Sequence, residues 1–238
     1  PGDCVKWDPT AIGEQISTSV LPCSQPHLIE IVSKATLPAS VSTFPTVAKW
    51  LDLAAILCAQ PVANYLGYSL DPDGRFQINS IDPSQQGWNQ GERMMWCGIG
   101  VDSTTGSPSQ FFTGAVRGQN QQFLYPVGSC LSASVPGSAR TSPIPCAQPH
   151  SLEVAGNASL AALPQLPQGS TALAAAVQPQ CAAIAAQYAG GSLPAGVQWG
   201  YLVLSQASWN AGERTVQCTI GSVTSSFVPT TSTGSLKG

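Results

Sequence analysis

Short runs of apolar and polar residues in the first part of the chain are typical of β-strands. Residues 4–7 and 15–21 have this character, residues 27–35 alternate as in a strand with one buried face, and a proline-rich corner at 22–26 separates the second run from the third. The pattern therefore predicts three early strands. Because each run is bounded by turn-forming residues, the strands are expected to be short.

A helical pattern follows the third strand. From Val47 to Leu66 apolar residues recur three and four positions apart, which predicts one long helix that buries a single face. Pro45 suits the first turn of this helix. Pro61 is expected to kink the helix or to split it in two, and Gly67 to end it.

The remaining pattern predicts more strands and a second helix. Residues 76–81 and 93–101 have strand character and flank a turn at 88–91, while 71–75 has the chemistry of a turn. Residues 170–190 carry a second helical stripe. The predicted fold class is α+β, with a long helix on an antiparallel sheet formed twice.

The two halves of the chain are tandem repeats. Three motifs return in the same order: CSQPHLIE at 23–30 as CAQPHSLE at 146–153, WNQGER at 88–93 as WNAGER at 209–214, and TGAVRG at 113–118 as TGSLKG at 233–238. The four cysteines of each half keep step, with spacings of 19, 35 and 39 residues and then 16, 35 and 37. We therefore assign residues 1–118 and 130–238 to two repeats and 119–129 to a linker.

Composition narrows the class of protein. Only 9% of the residues are charged, against about 25% in an average domain, and 43% are hydrophobic, so a folded chain is expected. The formal net charge of −3 and the absence of a basic run argue against nucleic acid as a partner. No apolar run approaches the roughly 20 residues of a membrane span.

The cysteine content indicates an oxidising compartment. Eight cysteines stand beside two histidines, which favours disulfides over zinc. The chain starts at Pro1 without a methionine or an apolar leader, so an export signal or membrane anchor is expected upstream.

Placement of the elements favours one of the three disulfide pairings that four cysteines per repeat allow. Cys4 and Cys23 lie on neighbouring early strands. Cys58 faces the sheet from the helix, and Cys97 lies on a late central strand. The predicted pairs are Cys4–Cys23, Cys58–Cys97, Cys130–Cys146 and Cys181–Cys218. A zinc site built on Cys23 and His27, or on Cys146 and His150, is disfavoured, because each repeat offers one histidine and its cysteines pair off completely.

The combined motifs resemble a known family. Cys-x-x-Pro-His-x-x-Glu, a helical cysteine, Trp-x-x-Gly-x-Arg-x-x-x-Cys and Thr-Gly-small-aliphatic-basic-Gly together resemble the septum-formation domain of actinobacterial, including mycobacterial, envelope proteins. Both repeats match, so the resemblance covers nearly the whole chain. It implies an extracytoplasmic domain behind a single transmembrane helix, a part in cell division or envelope assembly, and no established enzyme chemistry or cofactor.

The recurring polar residues are the candidates for chemistry. His27 with Glu30 could act as a general base and its partner, but residues three apart on a strand face opposite ways, so a direct dyad needs a bulge or turn. The favoured interpretation is structural: the histidine caps local backbone, and the glutamate pairs with the motif arginine. The predicted pairs are Glu30–Arg93 and Glu153–Arg214, with His150 in the place of His27.

Other functional motifs are weak or missing. Trp88 and Trp209 open equivalent turns and are read as buried anchors in preference to exposed platforms for a sugar or protein, because tryptophan is usually largely buried. Asp71-x-Asp73 is read as a turn and not as a calcium loop. No nucleophile elbow or phosphate-binding loop is present in the sequence.

The sequence thus predicts a non-catalytic, membrane-anchored extracytoplasmic protein that binds envelope or division proteins, or wall polymer. The first alternative is a receptor that holds a glycan or small molecule in the cleft between the repeats. A hydrolase acting through His27 and Glu30 is the less favoured alternative.

Overall fold

Each half of the chain folds into a long helix that lies on a five-stranded antiparallel sheet, which confirms the α+β prediction. The computed structural model describes residues 2–8, 17–72, 74–101, 110–132, 141–226 and 228–237. The chain divides into two units, Pro1–Gln121 and Gln122–Gly238. The boundary falls within the 119–129 stretch.

The described residues of the first unit form five strands and two helices. They are β1 (Asp3–Lys6), β2 (Ser19–Leu21), β3 (Ile29–Thr36), α1 (Val47–Leu66), β4 (Phe76–Ile81), α2 (Gln85–Asn89) and β5 (Met94–Val101). The strand order is β2-β1-β3-β5-β4, so the last strand in sequence lies inside the sheet and β4 lies at its edge. All neighbouring strands are antiparallel.

The second unit repeats this order. Its elements are β6 (Cys130–Leu131), β7 (Pro143–Ile144), β8 (Leu152–Ser159), α3 (Ser170–Tyr188), β9 (Val197–Tyr201), α4 (Gln206–Asn210) and β10 (Thr215–Ser222). The strand order β7-β6-β8-β10-β9 matches that of the first unit position by position. The sequence repeat is therefore also a repeat of topology.

The ends of α1 follow from local chemistry. The side chain of Thr46 accepts a hydrogen bond from the backbone N–H of Lys49 at 3.3 Å and caps the first turn. Pro45 precedes this cap and so lies outside the helix, two positions before the first helical residue, Val47. Gly67 adopts a φ of 86°, the left-handed conformation that ends helices, as predicted.

Pro61 does not split α1, which runs unbroken through it. Proline removes one hydrogen bond from the helix, but the apolar stripe on both sides of it is buried on the sheet. Cys58, Val62 and Leu66 all face this core. Burial of the stripe outweighs the single missing bond, so the expected break into two helices is wrong.

A short helix, α2, occupies the region expected to be a turn at 88–91. The side chain of Ser84 accepts a hydrogen bond from Gly87 N at 3.0 Å and starts this helix. Gly91, with a φ of 94°, follows the C-cap residue Gln90. The glycine of the WNQGER motif thus supplies a backbone conformation that residues with side chains rarely adopt.

Two predicted strands begin later than expected. The strand predicted at 27–35 starts at Ile29, because His27 pairs instead with Phe112 in an isolated bridge. The strand predicted at 15–21 starts at Ser19, since residues 17 and 18 are described but not part of it; residues 15 and 16 lie outside the described part of the chain. Asp73 of the Asp71-x-Asp73 turn lies outside it as well.

Disulfides join the helix to the sheet, and they join β1 and β6 to the turns that follow β2 and β7, where Cys23 and Cys146 lie and not on a strand as expected for Cys23. The pairs are Cys4–Cys23, Cys58–Cys97, Cys130–Cys146 and Cys181–Cys218, as predicted. Their Cα–Cα distances of 5.1–5.3 Å lie in the ordinary range. A disulfide stabilises a fold by about 2–4 kcal/mol, a large share of a small domain's net stability.

The two cores differ in the side chains that fill them. In the first unit Phe44, Trp50 and Trp88 form edge-to-face pairs with ring centroids 5.8–6.3 Å apart. In the second unit the core around Trp209 is mainly leucine, valine and alanine. None of the described helices is both long enough and apolar enough to cross a membrane.

Candidate functional site

The first and last motifs of each repeat lie against each other. His27 and Phe112 exchange backbone hydrogen bonds of 2.9 Å in both directions, and Gly114 N donates to Cys23 O at 2.6 Å. Gly114 has a φ of 83°, which explains the glycine of the third motif. The equivalent pairs of the second repeat are His150 with Ser232 and Gly234 with Cys146.

A fully buried glutamate lies where these motifs meet. In the first repeat Glu30 on β3 has no exposed surface. Its carboxylate accepts hydrogen bonds from the hydroxyl of Tyr65, in the last turn of α1, and from Val116 N at 2.6 Å. Two donors therefore compensate for the water that the carboxylate loses on burial.

The second repeat forms the same contacts and adds one. Glu153 on β8 is buried and accepts hydrogen bonds from the Tyr188 hydroxyl and from Leu236 N at 2.6 Å. The Ser235 hydroxyl lies 2.9 Å and 3.2 Å from the two carboxylate oxygens. The first repeat has Ala115 at this position, so the second carboxylate has one more donor.

A basic side chain covers each of these tyrosines. The Arg117 guanidinium carbon lies 4.6 Å from the ring centroid of Tyr65, and this arginine also donates a hydrogen bond to the Tyr65 backbone oxygen. Lys237 Nζ lies 5.2 Å from the ring centroid of Tyr188. We call these groups the glutamate clusters: Glu30, Tyr65, Val116 and Arg117 in the first repeat, and Glu153, Tyr188, Ser235, Leu236 and Lys237 in the second.

The environment of the clusters holds both phenols in their neutral form. Burial, followed by the hydrogen bond to Glu30 and the charge of Glu30, raises the pKa of Tyr65 from 10.0 to about 12. Burial and then the hydrogen bond and charge of Glu153 raise the pKa of Tyr188 in the same way. The phenols therefore act as hydrogen-bond donors, and not as phenolates, throughout the physiological range.

The histidines are buried beside the clusters and point to the backbone. His27 Nδ1 donates to Gln25 O at 2.8 Å, and His150 Nδ1 donates to Gln148 O at 2.9 Å. This places a proton on Nδ1 of each ring. Nε2 of each ring is buried without a hydrogen-bond partner among the described residues. The expectation that the histidine caps local backbone at the proline corner is therefore confirmed.

The groups near the histidines do not fit a zinc site. A ring nitrogen of His27 lies within 4.8 Å of the sulfur atoms of Cys4 and Cys23, and one of His150 lies within 4.8 Å of Cys130 and Glu153. These cysteines are in disulfides, so they offer no thiolate to a metal ion. A separation of up to 4.8 Å between His150 and Glu153 is longer than a hydrogen bond, so it does not establish a dyad of these residues.

The motif arginines hold the short helices. Arg93 lies with its guanidinium carbon 3.6 Å from the ring centroid of Trp88, and its Nη1 donates to the backbone oxygens of Trp88 and Glu92 at 2.8 Å and 2.7 Å. Arg214, Trp209 and Glu213 repeat these three distances. A cation thus binds one carbonyl near the end of α2 or α4, where the helix dipole favours positive charge, and one carbonyl just beyond the helix.

These contacts overturn one expectation and support another. The predicted pairs Glu30–Arg93 and Glu153–Arg214 are wrong, because each glutamate contacts the tyrosine and the third motif while each arginine contacts a tryptophan and backbone oxygens. Trp88 and Trp209 are each only 6% exposed, which agrees with their interpretation as anchors.

The tyrosines are the cluster residues that the motifs did not single out. Tyr65 and Tyr188 each lie seven residues after the helical cysteine and 35 residues after the glutamate. Seven residues are close to two helical turns, so the tyrosine and the cysteine lie on one face of the helix. This spacing recurs in both repeats, and it is the sequence signal by which the two tyrosines could have been recognised.

Comparison with known proteins identifies relatives. A family model described as septum formation matches residues 1–218 and so extends across both units. Two uncharacterized membrane proteins of Mycobacterium tuberculosis, from strains CDC 1551 and H37Rv, are each 29% identical over 241 residues, which is 92% of this chain and 51% of each relative. The chain therefore spans about half the length of these relatives. No solved structure matches it.

Proposed function

The chain belongs to the septum-formation family, and from this premise we propose that it is the non-catalytic, extracytoplasmic part of a membrane-anchored envelope protein. In this proposal it contacts other envelope or division proteins, or wall polymer, during septum formation. The relatives are described as membrane proteins, which supports the anchor. The family description supports the process.

One observation carries the non-catalytic part of the proposal. In both repeats the histidine and the glutamate of the first motif are buried and bonded to the chain's own groups, so a substrate would reach neither His27 nor Glu30 in this arrangement. The same contacts recur at His150 and Glu153. Their shared role is to join the first motif to the last one and thereby close the fold.

The disulfides support the compartment. All eight cysteines are paired, and such pairs persist in oxidising compartments such as the space outside a bacterial cytoplasmic membrane. Each repeat holds two disulfides of its own, which stabilise its helix on its sheet and suit it to presenting a rigid surface.

The test uses the full-length protein in a mycobacterial host depleted of its own similar membrane protein. We expect depletion to disturb the frequency or placement of septa and the wild-type protein to restore both. A photo-crosslinking residue at exposed Ile56, on α1, is expected to capture division or wall-synthesis proteins. Normal septa after full depletion would contradict the role in septum formation.

The compartment is tested in the same cells. A membrane-impermeant labelling reagent is expected to reach this chain in intact cells, and thiol alkylation without reduction is expected to leave all eight cysteines unmodified. Modified cysteines in the native protein would contradict the extracytoplasmic assignment.

A further inference from the structure

A groove of about 470 Å³ runs between α1 and β4 in the first unit. Val47 and Leu51 of α1 form one wall, and Ile78 and Ser80 of β4 form the other. The groove therefore follows an edge of the sheet along most of the length of β4.

The edge itself can accept another strand. β4 pairs with β5 on one side, and no other strand among the described residues pairs with its second side. In an antiparallel pair, alternate backbone N–H and C=O groups point away from the partner. An extended segment that lies in the groove can bond to these groups, a recurring mode of peptide recognition.

The helix wall is apolar where the fold does not require it. Val47 is 78% exposed and Leu51 is 66% exposed, although both lie on α1 beside the core. Counted from the helical cysteines, their counterparts in the second repeat are Ser170 and Ala174. Because the second repeat forms the same fold with these smaller and more polar residues, the apolar pair is an addition to the fold and not a condition for it.

An acid lies at the end of the groove. Asp82 follows β4 directly and lines the groove, and its Oδ1 is buried without a hydrogen-bond partner among the described residues. Burial raises the pKa of Asp82, and the hydrogen bond with Ser80 offsets only part of this rise. The second ionisable residue that lines the groove is also acidic, Asp71. The counterpart of Asp82 in the second repeat is Val203.

We propose that this groove binds an extended peptide segment of a protein partner, which adds as a strand to β4. An apolar side chain of the segment lies against Val47 and Leu51, and a lysine or arginine lies against Asp82. The inference rests on the proposed function as an interaction module, and it names the chemistry of the partner. Wall polymer and a second copy of this chain are the competing occupants.

The test is a selection of random displayed peptides, roughly nine residues long, on the chain of residues 1–238. We expect the enriched peptides to alternate apolar and polar residues and to carry one lysine or arginine. Titration of the best peptide into ¹⁵N-labelled protein is expected to shift the amide signals of β4 and of the first half of α1. Peptides without this pattern, or shifts confined to other regions, would overturn the proposal.

Matched variants locate the binding. Leu51→Asp is expected to weaken binding of the selected peptide at least about tenfold, because a charge is then buried against an apolar side chain. Ala174→Asp places the same change at the equivalent position of the second repeat and is expected to leave binding unchanged. Val47→Asp is a second groove variant in case Leu51→Asp disturbs folding. Equal effects of Leu51→Asp and Ala174→Asp would overturn the proposal.

Two further comparisons separate the components of recognition. N-methylation of alternate peptide amides is expected to abolish binding, because it removes the hydrogen bonds of strand addition. Asp82→Asn is expected to weaken the basic peptide about three- to tenfold, but not a peptide in which glutamine replaces the basic residue. Identical losses for the two peptides would overturn the role of Asp82.

The competing occupants have distinct outcomes. A dimer of the free chain that Leu51→Asp converts to a monomer in sedimentation would favour a second copy and overturn the peptide proposal. Shifts in the groove with soluble wall fragments, but not with any selected peptide, would do the same in favour of polymer. The depletion assay tests the envelope role separately: disturbed septa with failed peptide selection would reject the groove alone, and normal septa would reject the role itself.

Discussion

The two repeats share a skeleton but differ in surface and core. Both have the same strand order, the same helix-to-sheet disulfide and the same glutamate cluster. The first adds paired aromatic rings to its core and an apolar wall with an acid beside an edge strand. The second has none of these residues at the equivalent groove positions Ser170, Ala174 and Val203.

This difference separates residues that the fold needs from residues that it tolerates. The second repeat keeps few ionisable residues, and the structure gives a contact to those within its motifs. Glu153 is buried, Arg214 holds α4, and Lys237 covers Tyr188. Glu213 accepts hydrogen bonds from the backbone of residues 214 and 215. The second repeat has fewer charged residues than the first, so the charged residues that it keeps indicate which ones the fold needs.

The largest expected effect comes from the helix-to-sheet disulfides. Replacing Cys58 and Cys97 with alanine is expected to lower the free energy of unfolding of the first unit by about 2–5 kcal/mol. The same change at Cys181 and Cys218 should cost the second unit nearly as much, because the bonds close stretches of 39 and 37 residues. Hydrogen exchange followed by mass spectrometry reports each unit separately. A cost confined to one unit would break the equivalence of the repeats.

Neutralising the buried glutamates should have the next largest effect. Glu30→Gln and Glu153→Gln are each expected to cost about 1.5–3 kcal/mol, because hydrogen bonds to a charged group are lost. The second substitution should cost about 1 kcal/mol more, since Ser235 donates only to Glu153. Chemical denaturation measures both costs. Ser235→Ala is the control: in its background, Glu153→Gln should cost no more than Glu30→Gln. If the two glutamate substitutions cost the same while Ser235 is present, the role of the serine would be contradicted.

The arginine contacts predict a smaller and equal effect in the two repeats. Arg93→Ala and Arg214→Ala are each expected to cost about 1–2 kcal/mol through the lost ring contact and the lost bonds to carbonyl oxygens. Arg93→Lys and Arg214→Lys should retain only part of this stability, because lysine keeps the positive charge but lacks the planar guanidinium group.

A double-mutant cycle checks the rejected ion pair. The costs of Arg93→Ala and Glu30→Gln should add to within about 0.5 kcal/mol, because these residues contact different partners. A larger coupling energy, measured by chemical denaturation of the double variant, would restore the Glu30–Arg93 pair.

The smallest effect should appear at alkaline pH. The raised pKa of Tyr65 means that its stabilising contribution is complete below pH 10.0 and is lost as the pH rises through about 12. Tyr188 has the same sign. Unfolding midpoints measured across this window should fall less steeply in Tyr65→Phe and Tyr188→Phe than in the wild type. An unchanged slope would contradict the contact between phenol and carboxylate.

The sequence predicted the elements better than their polar contacts. Helical and strand periods located α1 and the central strands, because burial of one face imposes a repeating pattern on consecutive residues. The disulfide pairing could then be predicted, since a helical cysteine that faces a sheet has few other cysteines within reach. The short helix α2 was read as a turn because five residues leave too little periodicity to detect.

The glutamate pairing was missed for a different reason. Charge scarcity suggested that Glu30 and Arg93 attract each other, but the backbone N–H of Val116 and the phenol of Tyr65 compensate the carboxylate instead. Backbone N–H donors cannot be recognised from the residue types in a sequence. The groove was also hidden, because its edge strand and its exposed helix wall are 25 or more residues apart in the chain and only the fold brings them together.

The closing contact of each repeat determines where the protein can be divided. Val116 N reaches Glu30 across 86 residues, and Leu236 N reaches Glu153 across 83. The family match ends at residue 218, well before Leu236. A chain cut at that boundary would keep every cysteine, but it would lose the last four residues of β10 and both Ser235 and Leu236, so the interior carboxylate of Glu153 would be left without two of its donors.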